Sequence, residues 1–442
     1  MSRLHPIKSL WSRSRSSVRS NESPSAIMTS LPNEPVTLAI IGCGQRGTSY
    51  TEYALDHPKK CKVVTIAEPR QNARDIFARN HKLDRTLVFN DWQELLKASA
   101  DTIETIGKRL ADAVIVAVHD HMHCEVVSAF AAQGYHILCE KPMATNLQDC
   151  VEMEKAVKNA GIICGIGHVL RYSPYSKAVT EVVRSGQLES ESSFSLMTKS
   201  CHDIDILCHW LSPAIPTRVS SFGSLQHFRK EKKPPAAGAA TRCLECSVEQ
   251  DCPYSAKKVY LEPVSRGNTH WPASTIVDGI PDIENITDAL CNGPYGQCVY
   301  ESDNDVCDHQ VVNIEYSSGA TVSFTMVAYT SLICERQTRL HFTHGEIVGD
   351  MNNFTVTDFR TGHKTTHHPK NEGGGHGGGD LGLMRTFVEA VRTNNQELLG
   401  TDVSEVLKSH LTVFAAETSR REGTVIDCAK FEKAIRAELE MR

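Results

Sequence analysis

The sequence predicts an α/β protein whose N-terminal part is a doubly wound parallel sheet of the dinucleotide-binding kind. Three observations carry that expectation. A short, nearly continuous apolar run, VTLAII, leads directly into Gly42-Cys43-Gly44-Gln45-Arg46-Gly47, a G-x-G-x-x-G, and then into a helix-like segment. A second such run, CKVVTIA, leads to Glu68, 21 residues beyond Gly47. Strand-like and helix-like segments then alternate over about 130 residues, as an array of right-handed βαβ crossovers requires.

Each element has a local reason. Glycine at 42 permits a tight turn, glycine at 44 lets backbone approach a pyrophosphate, and glycine at 47 lets the helix close on the strand. The N–H groups that open the helix, at Gln45, Arg46 and Gly47, have no intrahelical partner and suit phosphate oxygens. Glu68 ends the second strand, where a carboxylate accepts hydrogen bonds from the adenosine ribose hydroxyls. A carboxylate there repels a 2′-phosphate and favours NAD, while Arg70 is able to hold such a phosphate, so NAD and NADP both remain open. Ala111–Val118 is the next buried strand, followed by the helical pattern HDHMHCEVVSAFAAQG. YHILCEKP is a strand, LQDCVEMEKAVKNAG an amphipathic helix with Gly161 past its end, and GIICGIGH a further strand. The cofactor is expected across the carboxyl ends of these strands.

Composition removes other classes. At roughly 150 residues per domain, 442 residues make two or three domains. The chain is 40% hydrophobic with a net charge of -6, and its mean hydropathy is -0.29 with a pI near 6.4. No apolar run approaches the ~18 residues of a membrane span, and the charge balance gives no footprint for nucleic acid. Sixteen scattered cysteines, several inside apolar strands, read as buried thiols in a reducing, cytoplasmic setting. Residues 1–35 carry five Lys/Arg against two Glu and no core pattern. They read as a disordered extension or as a transit peptide, which would make the protein mitochondrial.

Two further motifs make the resemblance specific. Glu140-Lys141-Pro142 closes a buried strand, and His202-Asp203-Ile204-Asp205 is an H-x-x-D at a helix start. Together with GCGQRG these resemble the Gfo/Idh/MocA oxidoreductases, over nearly everything from Val36 onward. The resemblance implies a Rossmann domain at 36–170. It also implies a C-terminal α/β domain at 171–442, built on an open, mainly antiparallel sheet and serving substrate binding and homodimer or homotetramer formation. It implies NAD(P)-dependent oxidation or reduction of sugars, cyclitols or related polyols, with Glu140 and Lys141 beside the nicotinamide, Lys141 catalytic and His202 the acid/base.

The chemistry agrees with those roles. A cation stabilises the alkoxide that develops as a hydride leaves or arrives, although Lys141 salt-bridged to Glu140 is the structural alternative. An imidazole titrating near neutrality exchanges protons with a hydroxyl, and Asp205, on the same helical face, is placed to orient it or to cap the helix. Many family members carry an aspartate four residues before the histidine. Here that position is Thr198, followed by Lys199. Thr198, Asp205, Arg171 and His123 are the candidate substrate contacts, with His119, His121, His168 and Tyr172 as lesser ones.

A long polar excursion interrupts the second domain at about 226–296. Cys243-x-x-Cys246 and Cys252 give a C-x2-C-x5-C run that suits a structural zinc. Cys298, Cys291 and His227 are candidate fourth ligands; three reduced thiols are the alternative, and an iron–sulfur centre is a third reading that lacks a fourth cysteine at ferredoxin-like spacing. Asp303, Asp305, Asp308 and His309 read as a solvated loop, with a cleft lining or, if clustered, a cation site as the alternatives. GGGHGGGD, with His376 and Asp380, reads as a lid or a linker, with Asp380 expected to cap the helix that follows.

The leading function is thus an oxidoreductase transferring a hydride between nicotinamide and a sugar or polyol. The alternatives are an enzyme that keeps NAD bound and cleaves glycosides by transient oxidation, and a non-catalytic cofactor-binding regulator of the same fold.

Overall fold

The computed structural model describes residues 34–185, 193–197, 200–331 and 336–441. The first sheet is built from β1 (Val36–Ile41), β2 (Cys61–Ala67), β3 (Val88–Phe89), β4 (Ala113–Val116), β5 (His136–Cys139) and β6 (Cys164–Ile166). Their order is β3-β2-β1-β4-β5-β6 and every pair is parallel. The helices between them are α1 (Gln45–Asp56), α2 (Gln71–Asn80), α3 (Trp92–Ile106), α4 (His123–Ala132) and α5 (Leu147–Ala160). With helices on both faces, AVIV of β4 is wholly buried, which is why such strands read as unbroken apolar runs. The helix ends follow local signals. Asp91 accepts from Glu94 N to open α3, and Asn146 accepts from Asp149 N to open α5; Gly107 and Gly161 close them in the left-handed conformation. The expected strand Ala111–Val118 pairs only over Ala113–Val116; its last two residues turn out of the ladder toward the cleft.

The second half opens with α6 (Pro174–Arg184), β7 (Ser193–Met197), α7 (Ser200–Leu211) and β8 (Pro216–Ser224). After the excursion, which contains α8 (Glu262–Ser265) and α9 (Ile283–Asn292), come β9 (His309–Tyr316), β10 (Thr321–Val327), β11 (Thr338–Phe342), β12 (Gly345–Gly349), β13 (Phe354–Asp358) and β14 (Lys364–His367). Then follow α10 (Gly379–Thr393), α11 (Val403–Glu422), β15 (Ile426–Asp427) and α12 (Cys428–Glu440). The nine strands run β14-β13-β12-β11-β7-β10-β9-β8-β15, antiparallel except for β7 beside β10. Period-two burial sets the faces. Val219, Val312, Ile314, Val322 and Phe324 pack under α6, α7 and α11, while Arg218, Asn313 and Thr321 face outward from the same strands.

Two expectations change. A division at residue 170 does not separate the cores, because Leu383, Phe387 and Val388 of α10 and Val406, Leu407 and Leu411 of α11 pack into the first sheet's two apolar layers. The excursion is longer than 226–296: no ladder strand lies between Ser224 and His309. No described helix is long and apolar enough to cross a membrane.

Candidate active site

The glycine loop is fixed by sterics. Gly42 has φ +93°, and a Cβ there would lie 2.4 Å from the Ala117 carbonyl oxygen; one on Gly47 would lie 2.1 Å from that of Gly42. Gly44 is different. A Cβ on it meets nothing nearer than Arg70 Nη2 at 3.5 Å, so packing does not demand glycine, whereas a pyrophosphate passing the loop would. The start of α1 has no side-chain cap and no acidic residue, leaving its N–H groups for an anion. A cavity of about 600 Å³ opens here, lined by Gly42, Gly44, Glu68, Arg70, Trp92 and Val118 among others. These residues fit a dinucleotide.

Glu68 sits at the cavity as the sequence suggests, and it also holds the loop, accepting from Cys43 N at 2.8 Å and from Arg70 N and Nε at 2.9 and 2.8 Å. Burial opposes its charge, but these bonds win and its carboxyl lies below the usual range. Arg46 departs from expectation. Its guanidinium does not face the phosphate site; it bridges Glu140 Oε1 at 2.7 Å and Asp380 Oδ1 at 2.9 Å. Glu140 is completed by the Tyr50 hydroxyl at 2.5 Å and Lys141 N at 2.9 Å. The Glu140 carboxylate is therefore spent on Arg46 and Tyr50, so the Glu140–Lys141 salt bridge is not what forms.

Lys141 leaves β5 one strand over from the cavity, since Cys139 pairs with Val116 of β4. Its charge is felt by His202 and His168. Around it stands a row of imidazoles: the ring centroids of His410 and His168 are 5.4 Å apart, those of His168 and His202 5.5 Å, and those of His202 and His376 5.7 Å. His202 is 3% exposed, and neither of its ring nitrogens has a hydrogen-bond partner among the described residues. Burial, then the charges of His168, Lys141, His376 and Arg336, holds it well below the usual histidine range. The ring is desolvated and held in its neutral form. His168 is likewise pushed down to about 3, chiefly by burial.

Several candidates are engaged elsewhere. Asp205 does not orient His202. It takes a bidentate grip on Arg171 at 2.7 and 2.6 Å, accepts from Ser409 Oγ at 3.0 Å, and lies 3.5 Å from His168 Nδ1. Burial would raise its carboxyl, but Arg171 outweighs it and leaves it at about 2. Arg171 is correspondingly unavailable to clamp a substrate, its Nη1 donating to the Gly400 carbonyl. His123 is buried with its nitrogens against the carbonyls of Pro142 and Val118 at 2.8 and 3.3 Å, tying two loops together rather than facing the cleft. Tyr172 bonds Thr401, and His119 lines the cavity with His121 stacked 5.9 Å away. Thr198 and Lys199 lie outside the described residues.

Asp380 corrects a further expectation. It lies inside the first turn of α10 with Gly378 at the cap position, and it does not cap. Instead it joins His376 Nδ1 at 3.1 Å to Arg46. Burial opposes its charge, but the His376 and Arg46 bonds bring it to about 2. His376 adopts φ +52°, an uncommon conformation for a side chain larger than glycine, and holds its ring beside His202. The glycine-rich strap is thus docked on the cofactor loop. The sequence reading also missed the buried Arg336–Asp203 pair next to His202, for which a lone arginine at 336 gave no signal.

The excursion reaches the cleft too. Thr275 lines the cavity, a Cβ on Gly279 would be 3.0 Å from Asn72 Nδ2, and Asp278 acts on the Arg70 charge. At its base Asp308 is buried, not solvated. It accepts from Gln226 N, His227 N and Phe228 N and pairs with His309 Nδ1. His227 packs edge-on or tilted among the rings of Phe228, Tyr254, Tyr300 and Tyr329. Cys243 is buried, and its thiol is pushed up by burial first, with Cys298, Cys252 and Cys246 each close enough to add. Cys291 is exposed. Among the described residues, the group of three metal-competent ligand atoms mutually within 4.8 Å is Cys124, Asp149 and Glu152; the four insertion sulfurs are gathered more loosely.

Comparison with known proteins follows this geometry. Residues 36–168 match a family model described as an oxidoreductase family with an NAD-binding Rossmann fold. The 2,7-anhydro-N-acetylneuraminate hydratase of Mediterraneibacter gnavus is 35% identical over 153 residues, 34% of this chain and 36% of that protein. The NAD(+)-dependent scyllo-inositol 2-dehydrogenase of Bacillus subtilis is 23% identical over 210 residues, 43% of this chain and 58% of that protein. The chain matches between 28% and 58% of the length of the first curated relatives. An inositol dehydrogenase homolog from Azotobacter vinelandii, solved with NADH and myo-inositol, superposes with a TM-score of 0.62 at 12% identity, covering 89% of this chain and 98% of that one; that likeness concerns the fold. The segment that carries the glycine loop, residues 36–168, thus matches the Gfo/Idh/MocA oxidoreductase family, and the two-sheet architecture of the whole chain is of the same kind as that of the solved neighbour.

Proposed function

We propose that the chain is a nicotinamide-dependent oxidoreductase that transfers a hydride between the cofactor and a carbinol carbon of a sugar, cyclitol or related polyol. The observation that carries this reading is the buried imidazole of His202, without a hydrogen-bond partner among the described residues and within the field of Lys141, beside the carboxyl ends of a nucleotide-binding sheet. A bound nicotinamide supplies the hydride acceptor or donor. The protein supplies the rest. His202, neutral because it is desolvated, takes the hydroxyl proton in the oxidising direction and returns it in the reverse one. Lys141 steadies the oxygen as charge develops on it. The Arg46 bridge between Glu140 and Asp380 holds the loop that presents Lys141 against the strap that carries His376. NAD fits better than NADP, because Glu68 neutralises Arg70 at the ribose end.

The test is the absorbance of reduced nicotinamide with a panel of polyols, cyclitols and aldoses, each offered with NAD and with NADP. Turnover that falls by roughly 10²–10⁴ in His202→Asn, with cofactor binding retained, and that disappears in Lys141→Met supports the reading. Turnover unchanged in both variants overturns it.

One observation favours a second reading, the glycosidase-type enzyme with retained cofactor. His376 and Asp380 form an acid–base pair in addition to His202, and elimination across a glycosidic bond needs one group to take a proton and another to give one to the leaving oxygen. A relative named as a hydratase accords with chemistry lacking net redox change. Release of an aryl alcohol from an aryl glycoside without accumulation of reduced nicotinamide, lost in His376→Asn, would favour this reading over the first.

A further inference from the structure

The excursion between Ser224 and His309 has little to hold it. Over 84 residues it contains one four-residue helix, one ten-residue helix and a series of single 3₁₀ or π turns. Its own core amounts to Cys243, Ala256, Val264, Ala273, Ile286 and Leu290. Segments of that size with so small an apolar core ordinarily depend on a disulfide or a metal. Its cysteines are free thiols.

Cys246, Cys252 and Cys298 each lie close enough to act on the Cys243 thiol, while no three of the four sulfurs are mutually within 4.8 Å. Cys243 and Cys246 flank a single 3₁₀ turn, with Cys246 N donating to Cys243 O at 3.2 Å. Cys252 follows the next turn, closed by bonds from its N–H to Val248 O and Glu249 O. Cys298, far along the chain, is drawn in by the Arg242–Gln297 bridge and by donation from its own N–H to Thr241 O at 2.8 Å. That places it alongside Cys243 and leaves the exposed Cys291 aside.

The surroundings suit thiolates. Ala256 N donates to Cys243 Sγ at 3.4 Å, a bond that strengthens when the sulfur is charged. The Lys258 ammonium is held at the carbonyls of Gln250 and Cys252, supplying a cation beside a cluster that would carry net negative charge.

We propose that Cys243, Cys246, Cys252 and Cys298 bind one zinc ion as a tetrathiolate and that this ion staples the excursion. Binding displaces the thiol protons and involves no change of oxidation state. Binding requires the thiols to turn toward one another from the backbone positions that the Cys243–Cys246 turn, the Cys252 turn and the Cys298 N–H bond to Thr241 O already fix. The role is structural, because four protein ligands leave no open position for substrate. Through Thr275, the same excursion forms one wall of the dinucleotide cleft. The proposal does not depend on which reaction the enzyme catalyses.

The experiment uses the untagged full chain expressed with zinc supplementation. Elemental analysis is expected to return about one zinc per chain after dialysis against a chelator. Replacing zinc by Co(II) is expected to give the intense sulfur-to-metal charge-transfer absorption of a tetrathiolate. Cys298→Ser and Cys243→Ser are expected to lose most of the metal and to become trypsin-sensitive within residues 229–258, while Cys291→Ser keeps both. NADH fluorescence on each variant reports whether the nucleotide-binding half is still folded. A metal-free chain that gives no thiolate absorption with Co(II), iron with sulfide in place of zinc, or a disulfide between any two of the four cysteines would each overturn the proposal.

Discussion

Glu68 is the residue on which the proposed preference for NAD rests. Its carboxylate sits at the ribose end of the cleft with the Arg70 guanidinium folded onto it. Any 2′-phosphate there would meet a carboxylate whose own ionisation is favoured by the same arginine. Truncating it to alanine removes the repulsion and frees Arg70 for a phosphate. The ratio of kcat/KM for NADP over NAD is therefore expected to rise about tenfold or more in Glu68→Ala, a shift of roughly 1.4 kcal/mol or larger. An unchanged ratio would show that neither side chain reads the ribose. His202 is the second case. In the proposed reaction its usefulness as a base comes from having no hydrogen-bond partner among the described residues, and the Asp205 that its sequence spacing offers goes to Arg171 instead.

At the scale of elements, the Arg171–Asp205 pair fastens the turn after β6 to α7, the helix that carries His202. Both side chains are almost fully buried, so removing one charge strands the other in a medium that cannot solvate it. Asp205→Asn is expected to cost about 3–5 kcal/mol in urea unfolding, far more than loss of a surface pair such as Arg392–Glu389, which solvent screens. The excursion acts at this scale too. Its segment around Thr275–Gly279 lies against the adenosine side of the cleft. Replacing residues 273–280 by a short Gly/Ser linker is expected to speed NADH release at least several-fold in stopped-flow fluorescence, while the binding stoichiometry is unchanged. Equal release rates would show that this wall does not retain the cofactor.

For the whole molecule, one buried and two half-buried histidines shape the response to acid. Burial holds His136 at about 4, His168 at about 3 and His209 at about 4, each below the ordinary value of about 6.5. Between those values and 6.5 the unfolded chain binds protons that the folded chain refuses, so stability rises with pH through this range. The protein is expected to lose several kcal/mol as pH falls from about 6.5 toward 4, read as a falling urea midpoint at constant slope. A flat profile over that interval would mean these rings are solvated.

The sequence by itself determined what is local. The glycine spacing, the apolar strands, the acid at the end of β2 and the asparagine and glycine caps each express a constraint satisfied within a few residues, and the structure has them where the chain puts them. E-K-P and H-x-x-D were legible as motifs, and the tertiary structure brought Lys141 and His202 together. What only the tertiary structure decided is which partner each charged side chain found. Asp380 reaches Arg46 across 334 residues instead of capping its own helix, Arg171 takes the aspartate meant for the imidazole, and Arg336 settles on Asp203. Ion pairs form by distance and desolvation in the assembled core, and sequence separation carries neither. The same reason hid the shared core, because α10 and α11 belong by chain order to the second domain and by apolar contact to the first.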